Sequence, residues 1–246
     1  MQRYFLAGPF DENNQAVICG EDGKHIVKVM RMTVGDRLIS VVDGEAHVAE
    51  ILTILSDGVE ISKVEGPLPA NEMPVNVSIA CGLPKGDKLD LIVQKGTELG
   101  MSSIIPFEAE RSIVKWDEKK GGKKVERLRK IAKEAAEQCH RSVIPEVENP
   151  LSFKQLIEAS STYDVRLFAD EEDAKSEVPH KIADRLKNVY DKQSVIVVFG
   201  PEGGLSRKEA DMLMSANFLP VSLGPRILRT ETAPLYVLSA MSYQFE

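Results

Sequence analysis

Two loops near the end of the chain carry the residue types best suited to holding a ligand. The first, Gly200-Pro-Glu-Gly-Gly204, follows the apolar run Ser194–Phe199 and leads into Ser206-Arg-Lys-Glu209. That tetrapeptide is a capping box, in which the serine hydroxyl accepts a first-turn N–H and the glutamate reaches back to the cap. Glycines let the backbone turn sharply and present its amides and carbonyls, and open α/β sheets bind ligands at the carboxyl ends of their strands. A single loop of this kind is equally a tight structural turn. A second, Leu223-Gly-Pro-Arg-Ile-Leu-Arg-Thr-Glu-Thr-Ala233, follows the strand-like Leu219–Leu223 and precedes another helix-like stretch, so two such loops could wall one pocket. Neither loop is GxGxxG with an acidic residue about twenty positions on, and neither is GxxxxGK[ST], which removes the usual dinucleotide and ATP readings. What remains is a backbone-lined cleft with apolar Leu223, Ile227 and Leu228, suited to an adenine ring, beside polar Arg229, Thr230 and Glu231.

Other chemistries find little support. Cys19, Cys81 and Cys139 form no CxxC pair, and His25, His47, His140 and His180 show no spacing that would place ligands on one zinc ion, so no metal is expected. Asp170-Glu-Glu-Asp173 reads as a repelling, solvent-facing loop rather than a metal site.

The elements that must position the loops follow from hydrophobic period. Val75, Val77, Ile79, Cys81 and Leu83 alternate as a strand, and Leu89, Ile92, Val93 and Leu99 keep helical spacing up to a C-capping Gly100. Ser103–Phe107 reads as a strand, Val125–Cys139 as a long helix, and Asp164–Ala169, Ser194–Phe199 and Leu219–Leu223 as later strands. Alternating strands and helices predict an α/β fold with a mainly parallel sheet and helices on its faces. Before Gly66-Pro-Leu-Pro-Ala-Asn-Glu-Met-Pro74 the chain is instead rich in short strands with hairpin turns at Asp43-Gly44 and Asp57-Gly58. That proline-rich stretch predicts a break in regular structure and a domain boundary, with a small β-barrel over 1–70 and a larger domain over 74–246. Within the barrel, Ile26, Val29, Met30 and Thr33 predict an amphipathic helix whose opposite face carries Lys24, Lys28 and Arg31.

The 246 residues hold 31 Lys+Arg against 38 Asp+Glu, a net charge of −7 that on its face disfavours a nucleic-acid partner. The charge is unevenly placed. Between Arg111 and Lys133 there are ten basic residues against three acidic ones, leaving 21 basic and 35 acidic elsewhere. Arg111, Lys115, Lys119, Lys120, Lys123 and Lys124 surround Trp116 and a Gly121-Gly122 hinge, which adds stacking capacity and mobility to charge. A solvated helix face is the alternative. The cations Lys24, Lys28 and Arg31, with Arg3, form a second candidate RNA-binding surface. With 43% hydrophobic residues there is material for a core, and the longest apolar run is too short to span a bilayer, so a cytoplasmic protein is expected.

Gly200-Pro-Glu-Gly-Gly204 paired with Leu223–Ala233 resembles the SPOUT methyltransferases, whose parallel sheet is tied in a trefoil knot. With Lys85–Gly100 and Glu134-Ala-Ala-Glu-Gln-Cys-His-Arg141 the resemblance narrows to the ribosomal RNA small subunit methyltransferase E family and covers essentially the whole chain, including a PUA-like N-terminal barrel. It implies S-adenosylmethionine as cofactor, N3 of one uridine in 16S rRNA of the small ribosomal subunit as methyl acceptor, and a homodimer. It also implies cofactor contacts from Phe168, Ala169, Phe199, Gly200, Pro201, Gly204, Leu223, Gly224, Ile227, Leu228 and Ala233, mostly through backbone.

Uracil N3 is a poor nucleophile until its proton leaves, so such a site needs alignment and stabilisation of a developing anion. Arg229 is the candidate for that stabilisation, with Glu231 or Glu98 as proton acceptor. Glu231 equally complements a helix dipole, Glu98 equally lies on a solvated helix face, and Glu202 equally holds its loop by accepting backbone amides. Two other classes stay open: a noncatalytic RNA-binding factor with a vestigial pocket, and a nucleotide-binding α/β enzyme unrelated to methylation.

Overall fold

The computed structural model describes residues 1–116, 118–174 and 179–246, with the side chains of 118–120, 173 and 174 outside the description. The chain divides into one unit of residues 1–72 with 136–143, and a second of 73–135 with 144–246. The first unit therefore takes up a segment distant in sequence, which a linear reading of composition does not register.

In the first unit, β1 (Arg3–Phe5), β2 (Gln15–Cys19), β3 (Arg37–Val42), β4 (Glu45–Leu55) and β5 (Gly58–Leu68) form a sheet in the order β1-β3-β4-β5-β2. All its pairings are antiparallel except β1 with β3. The β3–β4 hairpin turns at Asp43 and Gly44, both at positive φ, the geometry that matches strand twist. Tyr4, Ile18, Ile26, Leu38, Ala49, Ile51, Val59 and Ile61 fill the core.

No ladder joins β1 to β2 among the described residues. Two expectations change here. The proline-rich stretch does not break structure at its start, because β5 runs on through Gly66 and Pro67 to Leu68. There β5 has lost β2 as a neighbour and a bulged register joins it to β4, so the missing Pro67 N–H deprives no partner strand. The amphipathic helix over 24–33 is replaced by a short helix α1 (Gly20–Lys24) and one π-helical turn, His25–Val29, ending at Arg31 with φ 55°. Only Ile26 of its expected apolar face is buried, and Val29 and Met30 are exposed.

The second unit contains β6 (Asn76–Gly82), α2 (Lys88–Glu98), β7 (Ser103–Glu108), α3 (Glu118–Gln138), β8 (Glu146–Val147), β9 (Leu151–Ser152), α4 (Phe153–Ala159), β10 (Val165–Ala169), α5 (Glu171–Ala174), α6 (Ile182–Leu186), β11 (Ser194–Phe199), α7 (Arg207–Ser215), β12 (Leu219–Val221) and α8 (Thr232–Phe245). Its strands are all parallel, in the order β12-β10-β11-β6-β7-β8, with β9 also on β7. The expected alternation puts Val77, Ile79 and Cys81 on one face, with α2, α3, α6 and α8. Ala80, Ile105, Phe107, Phe168, Ile196 and Val198 face α4 and α7 on the other. Burying each large side chain contributes about 1.5–3 kcal/mol, which makes the central strands the rigid part of the site.

Arg3 and Arg141 are structural within the first unit. Arg3 is only 5% exposed and donates to the Arg141 carbonyl (2.8 Å) and the Ser142 hydroxyl (3.3 Å), so it offers no phosphate-binding surface. Burial lowers its pKa, against the opposing influence of Cys139 and Glu72. Glu72 accepts from Arg141 Nε and Nη2 (2.9 and 2.6 Å) with one oxygen and from the N–H groups of Ser142 and Val143 with the other (2.8 and 3.2 Å). Removing one partner of such a pair strands the other. Glu72→Ala is expected to cost about 3 kcal/mol in urea unfolding; a loss below about 1 kcal/mol would mean that solvent replaces the carboxylate.

Candidate functional site

The carboxyl ends of β10, β11 and β12 open onto a cavity of about 770 Å3 whose walls are the 199–205 loop, the 223–230 loop and the 169–172 segment. This volume suits a drug-sized or cofactor-sized ligand. The first loop turns sharply: a Cβ on Gly200 would lie 2.5 Å from the Gly204 carbonyl carbon, and one on Gly82 at the end of β6 would lie 2.7 Å from Pro201 Cδ. Only hydrogen fits at either position, so the loop closes on itself and against the neighbouring strand.

Contacts with segments distant in sequence hold this loop. Glu202 Oε1 accepts from the Lys85 N–H (3.0 Å) and from Lys88 Nζ (2.7 Å), so it does anchor its loop through a backbone amide. Burial would raise the Glu202 pKa, but these donors outweigh it and hold the carboxyl below its ordinary range. The capping box at the start of α7 forms, with Ser206 N–H donating to Glu209 Oε2 (2.8 Å) and Glu209 N–H to Ser206 Oγ (3.2 Å). Glu209, only 4% exposed, also accepts the Glu110 N–H through Oε1 (2.8 Å), and Ser206 Oγ donates to Glu110 Oε2 (2.9 Å). Arg111 completes the clip by donating from Nη1 to the carbonyls of Gly203 (2.9 Å) and Leu205 (3.4 Å).

Ala169, Phe199, Gly200, Pro201, Gly204, Leu223, Gly224, Ile227, Leu228 and Ala233 all line the cavity, whereas Phe168 does not. The alternation of β10 turns the Phe168 ring to the opposite face of the sheet, among Phe107, Ile196 and Phe218. Arg229 lines the cavity and is exposed. Glu231 is not part of the lining: its Oε2 is buried without a hydrogen-bond donor among the described residues and lies 3.7 Å from Lys88 Nζ. Glu98 is also outside the lining and pairs with Lys95 at 2.8 Å on one face of α2, so the structure separates it from Arg229's cavity.

Glu171 and Glu172 are exposed, as expected of the acidic stretch 170–173, but the stretch enters α5 rather than a loop. Asp170, Glu171 and Glu172 also line the cavity, and Asp170 lies 3.5 Å from Arg207, another lining residue. Their position at the carboxyl end of β10 is the sequence signal for this, which the run of like charge masks. Lys88, Glu202, Arg207 and Arg226 also join the lining, and for Lys88 no local pattern revealed this because it lies more than a hundred residues from the loops.

The basic segment is only partly free for a partner. Arg111 is spent on loop carbonyls, while Lys115, Lys123 and Lys124 are exposed. Trp116 is half-buried against the core with Lys124 Nζ 4.8 Å from its ring centroid, so one potential stacking face already carries a cation. The Gly121-Gly122 hinge is corrected to the interior of α3, where the apolar period of Val125, Leu128 and Ala132 carries the helix past two glycines. The side chains of Lys119 and Lys120 lie outside the described residues. Lys28 and Arg31 are exposed and Lys24 lies 3.4 Å from Asp57, but the π-turn and the left-handed Arg31 prevent them from sharing one helix face. Among the described residues no His, Cys, Asp and Glu cluster could hold a metal ion, and no helix is long and apolar enough to cross a membrane.

The RNA methyltransferase domain family matches residues 71–242, and the RNA methyltransferase PUA domain matches 18–63. The chain is 46% identical to ribosomal RNA small subunit methyltransferase E of Bacillus subtilis, over 100% of this chain and 98% of that protein. The chain belongs to the ribosomal RNA small subunit methyltransferase E family. A Synechocystis member is 32% identical over 90% of this chain and 71% of its own. The crystal structure of a Neisseria gonorrhoeae member, bound to S-adenosyl methionine, is 26% identical with a TM-score of 0.87, covering 100% of this chain and 98% of that one. The fold is thus the SPOUT type, a parallel sheet flanked by helices with a PUA domain before it.

Glu202 stabilises the family's glycine loop only while it is charged. Because its pKa is held below the ordinary 4.5, its contribution is fully present above that pH and is lost as pH falls through the lower folded-state value. Thermal melts taken from about pH 6 to about pH 3 should therefore fall less steeply for Glu202→Gln than for the parent protein; parallel curves would show that the carboxylate is not responsible.

Proposed function

We propose that this chain methylates N3 of a uridine in 16S rRNA, using S-adenosylmethionine bound in the cavity at the ends of β10, β11 and β12, on an assembled or nearly assembled small ribosomal subunit. The observation that carries this reading is the cavity itself: two glycine–proline loops form its walls and ten of the eleven residues implied by resemblance line it. Gly200 and Gly82 leave the loop backbone close-packed, and apolar Leu223, Ile227 and Leu228 offer a surface for an adenine ring. Bound there, S-adenosylmethionine would supply a methyl group already activated by the positive sulfur.

The protein's own part is alignment and charge. The clipped 199–205 loop fixes one wall, so the in-line arrangement of acceptor and methyl carries little entropic cost at the moment of transfer. Arg229, exposed on the cavity wall, would stabilise negative charge on the uracil oxygens as N3 gives up its proton to solvent water in the open cavity. Glu231 stands behind Lys88 and Glu98 is paired with Lys95, which favours Arg229 over either carboxylate as the group meeting the base. Exposed Lys115 and Lys123 are the candidates for phosphate contacts. We also read the chain as a homodimer. Tyr243 is 92% exposed and shares a face of α8 with exposed Tyr236, while α8 packs against α2, which exposes Leu91.

Mass mapping of 16S rRNA from a strain lacking the protein should show loss of one methyl-uridine, and an unchanged pattern would sink the assignment. Arg229→Ala should lower kcat by about 10²-fold or more while leaving S-adenosylmethionine affinity within about threefold; equal losses would assign Arg229 to binding. Tyr243→Glu should shift sedimentation toward the monomer, since a buried unpaired charge opposes association; an unchanged profile would remove α8 from the interface.

A further inference from the structure

We propose that Lys88 is a positioning residue that sets the two glycine–proline loops in register across the cavity, its ammonium serving a carboxylate from each. The proposal rests on the methyl-transfer reading of the cavity, but its geometry is independent of any ligand. Lys88 Nζ donates to Glu202 Oε1 of the first loop at 2.7 Å and stands 3.7 Å from Glu231 Oε2, which belongs to the end of the second. That Glu231 oxygen is buried and receives no hydrogen bond among the described residues, so the ammonium is the cation facing it. An ammonium has three donors, and Glu202 uses one.

The helix that carries Lys88 does not explain it. Lys88 is the first residue of α2, where the positive end of the helix dipole disfavours a cation. The two carboxylates provide the compensation. They raise the Lys88 pKa, the Glu202 hydrogen bond most of all, against desolvation and the nearby Arg229 charge. The ammonium therefore remains charged across the neutral range. Without it, Glu202 would lose one of its two side-chain acceptor contacts and the buried Glu231 oxygen would lose the cation beside it, loosening both loops at the wall that carries Arg229. Lys88 also lines the cavity, so losing it changes a wall as well as a joint.

The test compares Lys88→Met, Lys88→Arg and the double variant Lys88→Met/Glu231→Gln, by calorimetry with S-adenosylmethionine and by amide hydrogen exchange on the ligand-free protein. Lys88→Met should weaken binding about tenfold and speed exchange in both 200–204 and 229–233, while Lys88→Arg stays within about threefold of the parent. Removing the second carboxylate should restore most of the affinity and protection in the double variant, which a space-filling role for the lysine stem would not produce. Unchanged exchange in Lys88→Met, or a double variant no better than the single, would overturn the proposal. If the parent protein takes up no S-adenosylmethionine, the methyl-transfer reading falls, and the exchange measurements still decide the role of Lys88.

Discussion

Backbone groups at the carboxyl edge of a parallel sheet have no further strand to pair with, and the cavity depends on how those groups are satisfied. Glu209 accepts N–H groups from Ser206 and Glu110, Glu202 accepts one from Lys85, and Arg111 donates to the carbonyls of Gly203 and Leu205. Apart from the Ser206–Glu209 capping pair, these contacts join the glycine loop and the start of α7 to the segments that follow β6 and β7. Charged side chains thus complete the hydrogen bonding of a loop that folds closely on itself, where unassisted backbone groups would have to hydrate.

This use of charge also bears on the electrostatics. The net −7 hides a basic segment, but several of its cations have internal duties: Arg111 on the loop, Arg127 on Asp90, Arg129 on the Val147 carbonyl and Lys124 over Trp116. Ion pairs on an exposed surface contribute little individually, so these contacts orient more than they stabilise. The exposed lysines Lys115 and Lys123 form a smaller footprint than the sequence count suggests, in a chain whose remainder carries 21 basic against 35 acidic residues. Such polarity favours a partner that meets the basic stretch over indiscriminate binding to polyanions.

Period and punctuation carried much of the architecture. Alternation in 75–83, helical spacing in 89–99 and the two Gly-Pro loops correspond to β6, α2 and the cavity walls. Local preference gives way where neighbours compete with it. Gly121-Gly122 became helix because the apolar stripe beyond it binds the sheet, and 24–33 lost its amphipathic helix because a π-turn leaves only Ile26 inside. Pro67 stayed in a strand because no partner strand needed its N–H.

The sequence by itself determined the alternation of strands and helices, the change of pattern before residue 74 and the two glycine–proline loops, since these follow from local period, glycine and proline. Tertiary structure alone decided which charges meet. Lys88 reaches Glu202 and Glu231, Arg111 reaches Gly203, and Glu110 reaches Ser206, all across separations near or above a hundred residues. It also removed Arg3 from the surface and Glu98 from the cavity. The physical reason is that a strand or helix is specified by neighbours a few residues away, whereas an ion pair depends on distances in space that only the order of strands in the sheet sets.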